Sequence, residues 1–175
     1  MRLDVKVMSA LLLAVSASLA HAEEKPAFLD PGLAISVEAD EAELSQETNT
    51  SIYRGNVRLE RGPLVMSGKE LRVSRSTGDE RISATLTGSP AQAQFRDPAA
   101  PTTPVIARAQ AITYTTGTEV LELRGQAQIE RGEDQLQGEN IRYEIPLARI
   151  QATGEGKERV KITIVPPEQS AEEKP

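Results

Sequence analysis

The nine residues RGNVRLERG at positions 54–62 return 70 positions later as RGQAQIERG at positions 124–132. The match extends to Gly68 and its counterpart Gly138. Over the 19 positions 54–72, seven residues are identical, where unrelated segments would share about one. The chain therefore contains an internal repeat, and its fold uses one structural unit more than once.

A shorter pattern divides this repeat further. Its first part is a small residue, two unrestricted positions and an apolar-polar-apolar triplet, and it begins at Ala39, Gly68, Ala109 and Gly138. Its second part is a segment led by glycine, and it begins at Gly55, Gly88, Gly125 and Gly156. We therefore predict a short pair of strands used four times, with the proline-rich segment Arg96–Pro104 as a loop between two halves.

Apolar and polar residues alternate with a period of two from Ile35 to Ile164, and glycine or proline interrupts the alternation at short intervals. This pattern predicts a half-buried antiparallel sheet and is incompatible with long helices. Only Ala39–Gln46, rich in alanine and glutamate, competes as a helix, and the alternation that leads into it favours a strand. Units that bury one face must stack on neighbours, so we expect an elongated β-structure with open edges near Ile35–Ala39 and Val160–Ile164.

The beginning of the 175-residue chain is typical of a secretory signal peptide. Two basic residues precede the 13-residue apolar run Val7–Leu19, and Ala20–Ala22 is a small-residue cleavage box. We expect residues 1–22 to be the signal peptide, 23–32 a flexible leader, 33–165 one domain and 166–175 a disordered tail. The apolar run is too short for a membrane span, which needs roughly 20 residues.

The residues that remain exclude several kinds of function. The only histidine, His21, lies in the predicted signal peptide, and the chain has no cysteine and no tryptophan. We therefore expect no catalytic triad, no thiol nucleophile, no metal site of imidazole or thiolate ligands and no cofactor. Of the 20 basic and 26 acidic residues, 18 and 25 follow residue 22, and the resulting charge near −7 argues against nucleic acid as a partner. A hydrolase that depends on carboxylates alone stays open as an alternative.

Five segments carry a resemblance to a known family, namely Ile35–Leu44, Tyr53–Val57, Gly68–Val73, Gly88–Ala91 and Gly138–Tyr143. In order and spacing they resemble the OstA-like domain of the LptA family of periplasmic lipopolysaccharide-transport proteins. The resemblance covers nearly the whole chain after the predicted signal peptide. Residues 98–104 depart from it, because they are unlike a tight hairpin and leave the pairing of the central strands open.

The resemblance implies an all-β fold, a twisted β-jelly roll open along its length and at both ends. It also implies a periplasmic protein, not an enzyme, that carries lipopolysaccharide from the inner to the outer membrane of a Gram-negative cell. Members of the family associate head to tail. They bridge an inner-membrane-anchored partner and an outer-membrane partner that carry similar β-jelly-roll domains.

Twelve residues share the inward side of their predicted strands, and together with the resemblance this predicts that they bind the acyl chains of the lipid. They are Ile35, Val37, Val57, Leu59, Leu71, Val73, Leu86, Phe95, Tyr114, Leu123, Ile129 and Tyr143. Four arginines beside glycines, Arg54, Arg61, Arg124 and Arg131, are expected on the rim, where they keep edges soluble or meet lipid phosphates. The alternative to a lipid carrier is a structural β-solenoid with a solid interior that recruits partner strands.

Overall fold

The computed structural model describes residues 32–78, 81–97, 100–156 and 159–166. The predicted signal peptide lies outside the described residues, as do nearly all of the predicted leader and tail. Within these ranges the only helical element is one short 3₁₀ turn, Ile145–Leu147, and no helix is long and apolar enough to cross a membrane.

In the described part of the chain, ten strands form one antiparallel sheet. In chain order they are β1 (Ser36–Glu38), β2 (Glu41–Ser45), β3 (Thr50–Arg61), β4 (Leu64–Arg75), β5 (Ile82–Asp97), β6 (Ala100–Thr115), β7 (Val120–Arg131), β8 (Asp134–Glu144), β9 (Arg149–Thr153) and β10 (Lys161–Thr163). The prediction of an all-β fold is confirmed, and the segment that competed as a helix forms β2.

The sheet is a meander in the order β1-β3-β4-β5-β6-β7-β8-β10, with β2 also paired to β3 and β9 also paired to β8. The short edge strands near the two ends of the chain therefore lie at opposite ends of the sheet, as predicted. Among the described residues, no further strand pairs with β1, β2, β9 or β10 on their outer sides.

The predicted loop over residues 96–104 is wrong for 96–97 and 100–104, which lie in β5 and β6, whereas 98 and 99 lie outside the described residues. Strands β5 and β6 pair from Ser83 opposite Thr115 as far as Asp97 opposite Ala100, with a register shift beside Arg96. Proline is tolerated here because β7 begins to pair with β6 only at Val105, so the sheet needs no N–H from Pro104 on that side.

Gly55, Gly88 and Gly125, which start repeated segments, lie at bulges within strands that continue past them, whereas Gly156 lies in a turn after β9, so six of the strands are longer than the spacing of the repeated segments suggests. Gly55 and Gly125 have positive φ angles of 77° and 79°, and the residues after them, Asn56 and Gln126, are also positive at 44° and 51°. Glycine adopts this conformation without steric cost, so the strand bends and continues where the spacing alone suggested an end. The 70-residue repeat is confirmed, since β3 spans 50–61 and β7 spans 120–131.

The bulges form a line across the sheet and divide it into two halves, because five consecutive strand pairs shift register there. Half-sheet A has β1 and β10 as its edges and contains residues 57–61, 64–68, 91–97, 105–109, 127–131 and 134–138. Half-sheet B has β2 and β9 as its edges and contains residues 50–54, 70–75, 82–87, 111–115, 120–124 and 140–144.

The two half-sheets fold face to face. The ring of Phe95 in half-sheet A lies 5.3 Å from the ring of Tyr143 in half-sheet B, and Arg61 of A contacts Tyr114 of B. The result is a roll whose closed side is the line of bulges. Its other side, which we call the lengthwise opening, is bordered by hairpin turns, including Gly62–Pro63 of A and residues 116–119 of B. The predicted jelly roll, open at both ends, is confirmed.

Candidate functional site

The interior of the roll is built from rows of apolar residues that cross the whole sheet. Residues that pair directly in neighbouring strands lie on the same face, so one inward residue per strand forms a continuous row. A row of half-sheet B consists of Ala42, Tyr53, Leu71, Leu86, Ile112, Leu123, Ile141 and Ala152. A row of half-sheet A consists of Val37, Leu59, Met66, Ala93, Ala107, Ile129, Leu136 and Ile162.

All twelve residues predicted to bind lipid lie on this inner face. Nine of them are buried, and Ile35, Val37 and Val73 are partly buried and pack against the others. Their contact with acyl chains stays a prediction. The same strand parity would also have selected Leu64 and Met66, which are fully buried in half-sheet A and which the sequence reasoning left out.

Small residues line the inner face along the bulges. Ala91 pairs with Ala109, and Ala127 pairs with Gly138. At Gly68 a Cβ atom would lie 2.7 Å from the carbonyl oxygen of Thr87, which is closer than packed atoms allow. The two half-sheets can therefore converge at the bend.

The middle of the interior is filled by the protein's own side chains, whereas its C-terminal end is not. At the C-terminal end an apolar cleft of about 200 Å³ lies between the half-sheets. The lining includes Val105, Ile129, Leu136, Tyr143, Ile150 and Ile162. The inward rows end there on uncovered side chains, with Ile162 63% exposed and Ile164 73% exposed. At the other end Leu44 of β2 is 70% exposed. The apolar surface of the interior thus continues to both edges of the sheet.

One polar cluster interrupts the apolar interior. Arg61 is only 2% exposed and Glu119 5%, and Arg61 Nη1 lies 2.9 Å from Glu119 Oε2. The hydroxyl of Tyr114 donates to Glu119 and accepts from Arg61. Burial raises the pKa of the Tyr114 phenol, and the neighbouring Glu119 carboxylate raises it further. The phenol therefore stays protonated as a donor.

The prediction that Arg61 lies on the rim is wrong. Its neighbour Gly62 does form a turn, but the arginine occupies an inward position of β3 and finds its carboxylate partner across the fold. The other three arginines lie at the surface, where Arg54 contacts Glu43 and Glu70 and Arg124 contacts Glu122. Arg131 also borders the C-terminal cleft.

No group of three or more residues that could hold a metal ion occurs among the described residues. Every buried side-chain nitrogen and oxygen atom in the same ranges has a hydrogen-bond partner. The chemistry that the site offers is therefore apolar binding along the sheet, with one internal ionic contact.

The family described as "LptA/(LptD N-terminal domain) LPS transport protein" matches residues 36–147, well over half of the chain. The chain belongs to this family. The matched range begins with β1 and ends in the 3₁₀ turn after β8, so it includes strands β1 to β8 and leaves out β9 and β10. The family identified from the sequence is confirmed.

Two relatives within the LptA family extend the match. The lipopolysaccharide export system protein LptA of Haemophilus influenzae is 23% identical over 132 residues, which cover 75% of this chain and 77% of the relative. The protein of that name from Escherichia coli K12 is 26% identical over 155 residues, which cover 87% of this chain and 83% of the relative.

A solved structure shows the same fold. It is LptH of Pseudomonas aeruginosa, described as the LptA-homologous periplasmic component of the conserved lipopolysaccharide transport device. It aligns with a TM-score of 0.68 at 24% identity and covers 76% of this LptA-family chain and 96% of LptH.

Proposed function

We propose that this LptA-family chain carries lipopolysaccharide through the periplasm, from the inner to the outer membrane, as one segment of a protein bridge. The observation that carries the proposal is the continuity of the inward apolar rows from one open edge of the sheet to the other. Membership of a family of lipopolysaccharide-transport proteins supports the cargo, and the periplasmic homologue LptH supports the compartment.

The acyl chains of the lipid bind to the inner face, on the twelve predicted residues and their neighbours in the same rows. Burial of one CH₂ group contributes about 0.8 kcal/mol, so one chain of 12 to 14 carbons gains on the order of 10 kcal/mol when it leaves water. A lipid held this strongly leaves only if the next site offers a similar surface. Direct contact between successive apolar edges provides such a site without exposure of the chain to water.

The half-sheets separate when the lipid binds. The cleft of about 200 Å³ at the C-terminal end is smaller than the roughly 300 Å³ of ordinary small-molecule pockets, and the middle of the roll is filled. The chain passes from one half-sheet to the other at the bulges and in the connections β1–β2 and β9–β10. The roll can therefore widen at its lengthwise opening while the hydrogen bonds between neighbouring strands stay in place.

Head-to-tail association joins the edge at β9 and β10 of one copy to the edge at β1 and β2 of the next. Unpaired strand edges pair readily with other strands, and unlike edges produce an open row of copies and not a closed dimer. The inner-membrane-anchored and outer-membrane partners, with similar domains, continue the same row at its two ends. Transfer of lipid along this row requires no covalent chemistry.

The filled middle of the interior favours a second candidate, the scaffold that recruits strands without carrying lipid. Lipid analysis of the protein separates the two. The full chain is produced in a Gram-negative host, purified from the periplasm without detergent, and its extract is examined for lipid A by mass spectrometry. We expect lipid A in the extract.

A photo-crosslinker tests where the lipid binds. Ile162 and Lys161 are adjacent, both exposed, and on opposite faces of β10, so they form a matched pair. We expect lipopolysaccharide to label the crosslinker at Ile162 at least about tenfold more than at Lys161. Equal labelling, or folded protein without lipid A, contradicts the proposal and supports the scaffold.

A further inference from the structure

The buried cluster of Arg61, Tyr114 and Glu119 spans the lengthwise opening. Arg61 is the last residue of β3, next to the Gly62–Pro63 turn that borders half-sheet A. Glu119 ends the turn between β6 and β7, which borders half-sheet B. Their 2.9 Å contact therefore connects the two borders of the opening directly.

Glu119 is fixed in place by its own backbone and turn. Its carbonyl oxygen accepts a hydrogen bond from the N–H of Ile145 at 3.2 Å, and its carboxylate accepts one from the N–H of Gly117 at 3.3 Å. The carboxylate thus belongs to the border of half-sheet B, and Arg61 is the group that reaches across. Separation of the half-sheets at this point requires separation of the two charges.

The cluster occurs where the internal repeat is broken. The positions 70 residues before Glu119 and Tyr114 are Asn49 and Leu44, and Asn49 has nearly the same backbone angle, with φ of 49° against 51°. The counterpart of Arg61 is Arg131, which is at the surface near Asp134. Among the described residues the complete trio therefore occurs once, between the end of β3 in half-sheet A and the turn from β6 to β7 in half-sheet B.

An ionic contact behaves differently from an apolar one when the opening widens. Well-packed apolar residues would hold the closed interior at least as well as a buried ion pair, because taking both charges out of water is costly. Parting an apolar contact exposes apolar surface to water, whereas parting this pair at the border of the roll returns both charges to water. The ion pair consequently keeps the interior closed to water, and its two charges separate at a small cost in free energy.

From this geometry we propose that Arg61, Tyr114 and Glu119 form a clasp that shuts the lengthwise opening between the end of β3 and the β6–β7 turn and separates when an acyl chain passes. The role in lipid passage rests on the proposed function. The claim that the trio holds the two borders together does not rest on the proposed function, because the distance between the borders is measurable without lipid.

The distance between the two borders tests the clasp. The chain has no cysteine, so P63C and T118C place one spin label on each border. In the lipid-free parent we expect one narrow distance distribution by pulsed electron paramagnetic resonance. In the Glu119→Gln variant we expect a second, longer distance, since the charge that holds Arg61 is removed.

Two further variants make the result specific. Glu70→Gln makes the same chemical change in the exposed pair of Arg54 and Glu70, and we expect it to leave the distances of the parent unchanged. The double variant R61M/E119L replaces the charges with apolar side chains, and we expect it to stay closed. If E119Q keeps the single narrow distance, or if R61M/E119L opens as E119Q does, the clasp is wrong. If E119Q does not fold by circular dichroism, R61M/E119L and the parent decide. A lipid-free R61M/E119L that is open overturns the clasp, and so does a parent that binds lipopolysaccharide while its two borders keep the closed distance.

Lipid uptake separates this inference from the proposed function. We expect E119Q to take up fluorescent lipopolysaccharide at least about threefold faster than the parent, and R61M/E119L to be no faster than the parent. If E119Q opens but takes up lipid at the parent's rate, the clasp does not control the passage of lipid, and that role is overturned. If the parent is closed and E119Q is open as described, but neither binds lipopolysaccharide, the proposed function is contradicted and the border contact stands.

Discussion

Phe95 of β5 packs against Tyr143 of β8 with ring planes at 43°, although β6 and β7 lie between these strands in the sheet. This contact exists only because the sheet folds back on itself along its bulges. It joins the two half-sheets by apolar packing, in addition to the ionic contact between Arg61 and Glu119.

Truncation of Phe95 tests the contribution of this contact. Phe95→Ala removes a fully buried ring, and we expect it to lower the free energy of unfolding by about 3–5 kcal/mol. Urea unfolding followed by circular dichroism measures the change. Leu147→Ala is the control, since Leu147 is 64% exposed and its truncation should cost less than about 0.5 kcal/mol. Similar losses for the two variants would mean that the half-sheets are not packed against each other.

Substitution of Gly55 tests the bulge. Gly55→Ala places a Cβ on a residue with φ of 77°, 2.3 Å from Asp40 Oδ2, so we expect a loss of stability above about 1 kcal/mol. Gly78→Ala is the matched control, because its φ is not in the left-handed region and its Cβ would meet nothing within 4 Å. Thermal unfolding of both variants measures the difference, and an unchanged melting temperature for G55A would argue against a bend at this residue.

Charge at the C-terminal edge tests head-to-tail association. Ile162→Lys puts a cation on the uncovered inner side of β10, where it would be buried in a joint between copies, so we expect association to weaken at least about tenfold. Sedimentation velocity over a range of concentrations measures it, with circular dichroism to show that the monomer is folded. Leu147→Lys, equally exposed but in the turn after β8, should associate as the parent does. A parent that is monomeric at all concentrations would contradict the bridge.

The Tyr114 phenol predicts a dependence of stability on alkaline pH. Its pKa is raised in the folded protein above the ordinary 10.0, so the folded state holds the proton more tightly than the unfolded state. The stabilisation is complete below about pH 10 and is lost as the pH rises further toward the folded pKa. We expect the urea midpoint of the parent to fall more between pH 9 and pH 11 than that of Tyr114→Phe. Equal falls would mean that Tyr114 does not hold its proton in the cluster.

Strand parity was enough to place the inner face, and the reason is local. A side chain such as Leu59 faces the side opposite to Arg58 in any extended strand, so alternation predicts burial without knowledge of the partner strand. The same argument failed at Gly55, because a bulge and a turn both favour glycine with positive φ, and only the pairing of β3 with β4 distinguishes them.

The ionic cluster could not be predicted from parity or from glycine spacing. Arg61 and Glu119 are 58 residues apart, and their contact depends on how the sheet folds over, which the alternation does not contain. One signal was available, namely the departure from the repeat at Glu119, where the counterpart is Asn49. Because Glu119 is buried, its charge needs a partner that the repeat does not supply.

Strands β3 and β7 occupy corresponding positions 70 residues apart. The width of this roll and its length are therefore determined by different features of the chain. Width is determined by strands of 11 to 16 residues that bend once. Length is determined by how many strands follow one another across the meander. Duplication of one repeat within the gene would therefore produce a longer conduit of unchanged bore, so that the span of such a protein can grow by whole repeats while its fit to the cargo stays the same.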